Sequence, residues 1–254
     1  MKVRLNKGMN MKHNIIIHTK EDYNAVSLKA YEILTKKIRE YPTGAFGFAT
    51  GSTPIGLYKE LKKNASELDM TKITAFSLDE YYPIKQSNPQ SYAYFMNTNL
   101  YDAINLPPEN RNYPNGEAEN ALAECRRYDE KIAQSGGIKL QILGLGLNGH
   151  IGFNEPSNID FSRCSNYTKL ADETINANSR FFENTDDMPK YAITMGIRTI
   201  MMAEEILLIV TGGMKAKILK EALKGSITPL VPASALQLHR CVHVVLDQEA
   251  GKLL

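Results

Sequence analysis

The chain has 254 residues, 43% of them hydrophobic and 23% charged, with a formal net charge of +2 at pH 7. This is the length and composition of one α/β domain with a buried core, and so even a balance of charge argues against nucleic acid or a membrane surface as a partner. The three cysteines (Cys125, Cys164 and Cys241) lie far apart, so neither a disulfide framework nor a zinc site is expected.

The basic start lacks the apolar segment of a signal peptide, and Met9 and Met11 make residues 1–10 a candidate unstructured leader. Residues 14–19 read as a strand. Val26, Ala30, Ile33, Leu34 and Ile38 then mark one apolar face of a helix over Glu21–Glu40. A second strand spans 45–50, followed by a helix from near Pro54, and a third strand spans 73–80. Ser91 is expected to cap a helix running to Ile104, ended by Pro107 and Pro108. A further helix over Glu117–Gln134 stops at Gly136-Gly137, and the fourth strand spans 138–146. Residues from about 157 to 189 are polar and irregular, with one helix around 173–182, and read as a lid. Strands at 204–213 and 241–247 enclose a helix over 214–225. Ile206–Val210 is the longest apolar run and is strand-sized, too short to span a membrane. The alternation predicts a single α/β domain over 1–254: an open, mostly parallel, Rossmann-like sheet with helices on both faces. Ligands of such sheets sit beyond the carboxyl ends of the strands.

Four strand ends carry the chemistry. Thr50-Gly51-Ser52-Thr53 precedes Pro54 at a helix start, with Ser52 or Thr53 as the cap; the turn is either an anion site or a capped connection without a ligand. Asp79 and Glu80 follow an apolar strand, as a pair containing a general base or as solvated acids. Gly144, Gly146 and Gly149 fit G-x-G-x-x-G, but Gly152 and Pro156 leave no room for the long helix a dinucleotide site requires. That loop instead crowds Asn148, His150, Asn154 and Glu155 together, a candidate acid/base cluster. Lys215 follows Gly212-Gly213 in the first helical turn and is a surface lysine or an anion ligand. His239 and His243 flank Cys241 in a strand and read as ordinary histidines, not a metal pair.

Taken together, T-G-S-T-P-I-G-L-Y-K-E-L (50–61), F-S-L-D-E-Y-Y (76–82), residues 91–104, G-L-G-L-N-G-H-I-G-F-N-E-P (144–156), N-S-R-F-F (178–182) and L-Q-L-H (236–239) resemble the glucosamine-6-phosphate deaminase (isomerase) family, in order and spacing. The related 6-phosphogluconolactonases share the fold and the glycine-histidine turn but lack the F-N-E-P continuation. The resemblance implies a cytoplasmic enzyme of amino-sugar catabolism that converts glucosamine 6-phosphate and water to fructose 6-phosphate and ammonia, with no metal and no organic cofactor. It casts Asp79 as the base that moves a proton from C2 to C1, His150 as the ring-opening residue, and Glu155 as the group holding His150. It makes Thr50, Gly51, Ser52, Thr53, Arg180 and Lys215 phosphate contacts. Many members carry Asp where this chain has Asn148, which can orient His150 but cannot accept a proton. The chain ends at Leu254, and 162–170 does not reproduce the basic pattern of members activated by an acetylated amino-sugar phosphate, so such activation is not expected. The partner implied is a small amino-sugar phosphate, with no nucleic acid or membrane, and a homo-oligomer is open. Alternatives are galactosamine 6-phosphate as substrate, a sugar-phosphate lactonase, or a non-catalytic sensor; a sensor would be expected to lose Asp79 or His150.

Overall fold

In the computed structural model, residues 15–156, 160–171, 174, 175, 179, 182, 184 and 187–254 are described. The first strand, β1 (Ile15–Lys20), leads to α1 (Tyr23–Glu40), whose N-cap Asp22 accepts a hydrogen bond from the Ala25 N–H. Val26, Ala30, Leu34 and Ile38 recur every four residues along α1 and are fully buried against the sheet, as their spacing predicts. Next come β2 (Ala45–Phe48), α2 (Ile55–Lys63), β3 (Thr74–Ser77), β4 (Asp79–Tyr82), α3 (Tyr92–Met96) and the short β5 (Arg111–Asn112). They are followed by α4 (Ala121–Gln134), β6 (Ile138–Gly144), β7 (Asn166–Lys169), β8 (Tyr191–Thr194), α5 (Ile197–Met201) and β9 (Glu205–Val210). The chain closes with α6 (Ala216–Lys224), β10 (Val242–Asp247) and α7 (Gln248–Gly251).

The main sheet has seven strands in the order β1-β10-β9-β6-β2-β3-β5, and every neighbouring pair is parallel. Its central strands are apolar almost throughout and buried, because helices cover both faces. From β2 the chain steps outward through β3 to β5, returns to β6 on the other side of β2, and steps outward again through β9 to β10. The two directions part between β2 and β6. This is the switch point at which the carboxyl ends of parallel strands leave a crevice.

Three expectations need correction. The single strand read over 73–80 is two strands in different sheets, because the chain changes partners at Leu78. The Leu78 N–H donates to Phe48 O (2.8 Å) at the parallel sheet, while its carbonyl accepts from the Met195 N–H (2.9 Å). After this change-over, β4 pairs antiparallel with β8, and β8 with β7, forming a second, three-stranded sheet. That places β7 within the segment read as irregular, while most of the helix expected around 173–182 lies outside the described residues. The helix expected from Ser91 to Ile104 starts as predicted, with Ser91 Oγ accepting from the Tyr94 N–H, but after Met96 it widens into a π turn over Asn97–Tyr101. Among the described residues no helix is long and apolar enough to cross a membrane.

Candidate active site

The loops after β2 and β6 flank the switch point. After β2, Gly51 takes a left-handed φ of +91°, which favours glycine. The N–H groups of Gly51, Ser52 and Thr53 find no acceptor among the described residues, so the turn offers free donors. Neither Ser52 nor Thr53 caps α2, contrary to expectation: Pro54 holds the N-cap position, without a side-chain bond. The turn is instead braced by Tyr23, whose hydroxyl donates to Ser52 O (3.0 Å) and Thr53 O (3.2 Å) and accepts from the Gly56 N–H (2.8 Å). Thr53 also lies beside the end of β6, since a Cβ built on Gly144 would sit 3.8 Å from its Oγ1.

The loop after β6 opens no helix among the described residues before β7, so the dinucleotide reading fails for the reason read in the sequence. Its left-handed glycines, Gly149 (φ +87°) and Gly152 (φ +58°), turn the chain tightly enough to bring Asn148, His150 and Glu155 into contact. Glu155 Oε2 accepts from Asn148 Nδ2 (2.7 Å) and lies 3.2 Å from His150 Nδ1. Asn148 Oδ1 also accepts from the His150 N–H (3.2 Å), and Thr174 Oγ1 donates to Glu155 Oε1 (3.1 Å). Burial pushes the Glu155 pKa up, but the His150 contact and charge and the donors from Asn148 and Thr174 outweigh it, leaving the group below its usual value. An ionised carboxylate only accepts, so the contact assigns a proton to His150 Nδ1 and leaves Nε2 as the ring nitrogen that Glu155 does not hold. Asn154, read as part of this cluster, is a scaffold residue: its buried Nδ2 donates to Ile151 O and Met195 O.

The His150 ring lies flat over Gly146, where a Cβ would come within 2.5 Å of three ring atoms. Gly146→Ala is therefore expected to lower kcat/KM about a hundredfold through a displacement of order 1 Å, with the fold retained; steady-state kinetics beside a melting curve checks this.

Asp79 and Glu80 are both buried, and their roles separate. Glu80 accepts from the N–H groups of Tyr81 (2.9 Å), Tyr92 (2.8 Å) and Ala93 (2.8 Å), tying β4 to the first turn of α3, so it is an anchor and not a base. Asp79 stands at the change-over between the sheets, opposite Thr194 in β8. Burial first, and then the Glu80 charge, holds its carboxyl well above the usual carboxylate range. The His150 loop rests on the same corner: a Cβ on Gly152 would meet Thr194 Oγ1 at 2.8 Å and Leu78 Cγ at 3.4 Å. The Phe153 N–H donates to Thr194 Oγ1 (3.2 Å).

Lys215 closes the 3-10 turn Gly213–Lys215 that follows β9 and runs directly into α6, the first helical turn as read, and its Nζ donates to Leu145 O (2.5 Å). Burial lowers its pKa, a cost that a bound anion would offset. Arg180 lies outside the described residues. Thr174, Thr194 and Tyr23 were missed by the sequence reading, since each touches the site across a long stretch of chain and no local pattern marks it.

Buried and hydrogen-bonded acid/base groups beside a donor-rich turn, at the switch point of a parallel α/β sheet, define an enzyme acting on a small anionic substrate. The family model described as glucosamine-6-phosphate isomerases/6-phosphogluconolactonase matches residues 19–245, and the chain belongs to that family. It is 46% identical over 235 residues to a glucosamine-6-phosphate deaminase of Thermoanaerobacter sp. (strain X514), covering 92% of each chain. It is 48% identical over 236 residues to that of Clostridium perfringens (strain SM101 / Type A), covering 92% of this chain and 97% of the relative. A solved structure of a monomeric glucosamine-6-phosphate deaminase superposes with a TM-score of 0.90 at 38% identity, covering 94% of this chain and all of the other. A 6-phosphogluconolactonase from Thermotoga maritima, at 22% identity and a TM-score of 0.72, shares the fold.

Proposed function

We propose that this chain converts glucosamine 6-phosphate and water to fructose 6-phosphate and ammonia. The observation that carries the reading is the corner where Asp79, buried at a strand start, adjoins the loop holding Asn148, His150 and Glu155. His150, held by Glu155, takes the proton of the anomeric hydroxyl on Nε2 and passes it to the ring oxygen as the bond from C1 to that oxygen breaks, opening the sugar to its aldehyde. Ionised Asp79 then takes the C2 proton, giving an enolamine, and returns a proton to C1. The resulting C2 imine adds water and expels ammonia, leaving the ketose. One short carboxylate on a rigid corner can serve both adjacent carbons. The turn over Thr50–Thr53, Lys215 and Arg180 hold the phosphate away from the reacting carbons. Every group in this scheme comes from one chain, so the chemistry itself requires no second copy.

Asn148 is a positioning residue in this scheme. Asn148→Ala frees Glu155 and the His150 backbone and is expected to lower kcat about tenfold or more for the loss of its two bonds, at roughly 0.5–1.5 kcal/mol each or more to a charge. Asn148→Asp keeps an acceptor for the His150 N–H and is expected to remain substantially active. Wild-type kinetics in Asn148→Ala would remove this cluster from ring opening.

The test of the whole reading is ammonia release measured side by side on glucosamine 6-phosphate and galactosamine 6-phosphate. Turnover of the first and little of the second is expected. Faster release from the galactosamine ester would reassign the substrate, and release from neither would overturn the reading.

A further inference from the structure

At the opposite edge of the main sheet from the catalytic loops, the starts of β9 and β10 hold three side chains that the proposed chemistry does not use. Cys241 directly precedes β10, His243 is two residues on and shares its face, and Glu205 opens the neighbouring β9. The Cys241 Sγ lies 3.7 Å from His243 Nε2, Glu205 Oε2 lies 3.4 Å from the same nitrogen, and the three donor atoms fall within 4.8 Å of one another. A tetrahedral ion with bonds of about 2.3 Å to sulfur and about 2.0–2.2 Å to nitrogen and oxygen sets such donors about 3.3–3.6 Å apart. The two spacings to His243 Nε2 already approach that figure, and the third pair of donors lies within 4.8 Å.

The surroundings orient the donors as ligands. Without an ion the His243 Nε2–H faces Glu205 Oε2; an ion would take the place of that proton, and His18 Nε2 on β1, 3.3 Å from His243 Nδ1, then offers an acceptor for the proton on Nδ1. Lys37 on α1 binds Glu205 through the other oxygen, Oε1 (2.7 Å), which fixes the carboxylate and leaves Oε2 toward His243. Lys37 also pairs with Glu40 (3.4 Å), so with a divalent ion and the Cys241 thiolate in place the charges of Lys37, Glu40 and Glu205 are balanced to zero. A cavity of about 580 Å³ borders the three side chains and gives an ion its entry path and water a fourth position. His239, which the sequence pairs with His243, is not part of the cluster: both its ring nitrogens are taken by the carbonyls of Cys241 and Ala203.

We propose that Glu205, Cys241 and His243 form a binding site for a borderline-soft divalent cation of the zinc type, with three protein donors and one position open to solvent. It is independent of the catalytic reading, and its test needs no substrate. Chelator-treated, desalted wild-type protein is titrated with Co²⁺ and followed by absorption. A near-ultraviolet thiolate-to-cobalt band with the strong visible bands of a tetrahedral ion is expected to saturate at one equivalent, and Zn²⁺ is expected to bleach both. The thiolate band is expected to vanish in Cys241→Ser and to persist in Cys164→Ser, while His243→Gln and Glu205→Gln, each checked by melting, bind Co²⁺ at least tenfold more weakly. No thiolate band in the wild type, or an undiminished band in folded Cys241→Ser or His243→Gln, would overturn the site.

Discussion

Asp79→Asn is expected to lose turnover by about 10²–10⁴-fold, the usual contribution of a general base, while still binding substrate and becoming more stable to heat. The stability gain follows from the sign of the pKa shift. Burial and then the Glu80 charge raise the Asp79 carboxyl in the folded state, so the folded protein holds that proton more tightly than the unfolded chain does. Stability is therefore lost as pH climbs from the ordinary carboxylate range, near 4, through the raised folded value. Asparagine carries no charge and avoids that loss. Each pKa unit corresponds to about 1.4 kcal/mol, and about 1–3 kcal/mol of stabilisation at pH 8 would lift the melting temperature by about 2–4 °C per kcal/mol for a chain of this size. The same shift sets the pH profile: kcat/KM should rise through a limb lying above the usual carboxylate range, and Glu80→Gln should move that limb toward lower pH by removing the like charge. Melting curves and a pH-rate profile check both points. A less stable Asp79→Asn at pH 8, together with a limb near pH 4, would contradict the buried-base account.

Lys215→Ala is expected to raise the Michaelis constant about ten- to a hundredfold. A hydrogen bond to a charged group contributes roughly 1.5–3 kcal/mol, and each 1.4 kcal/mol is about tenfold in affinity. Turnover should fall less, because the phosphate is remote from C1 and C2, although remote binding energy also supports the chemical step. Lys215 Nζ donates to the Leu145 carbonyl, which places it at the mouth of the His150 loop. Arg180→Ala is expected to behave alike, and unphosphorylated glucosamine to be a very poor substrate of the wild type. If both alanine variants kept the wild-type Michaelis constant, the phosphate would have to bind elsewhere.

Much of this architecture was legible because the helix and strand periods differ. The four-residue recurrence of Val26, Ala30, Leu34 and Ile38 fixed α1 and its buried face, and the apolar run at 206–210 fixed a central strand. The crowding of Asn148, His150 and Glu155 was legible too, since glycines and short spacing confine them to one loop. What a period does not encode is the partner. The run 73–80 stays apolar through Leu78, so nothing in it shows that Leu78 donates to one sheet and accepts from the other. Glu80 looked like the equal of Asp79 because the amides that consume it belong to Tyr92 and Ala93, a dozen residues on. Thr194 and Glu205 were invisible for the same reason: the contacts that matter cross from one strand to another, and only the fold supplies them.

The most direct test of the central claim runs the enzyme to completion on glucosamine 6-phosphate in deuterated water, with ammonia, fructose 6-phosphate and deuterium at C1 read from one sample. The wild type is expected to give one ammonia per ketose, with deuterium entering C1, and Asp79→Asn to give neither product nor exchange on the same timescale. Ketose formed by Asp79→Asn at the wild-type rate, with deuterium still entering C1, would show that another base moves the proton and would contradict the account.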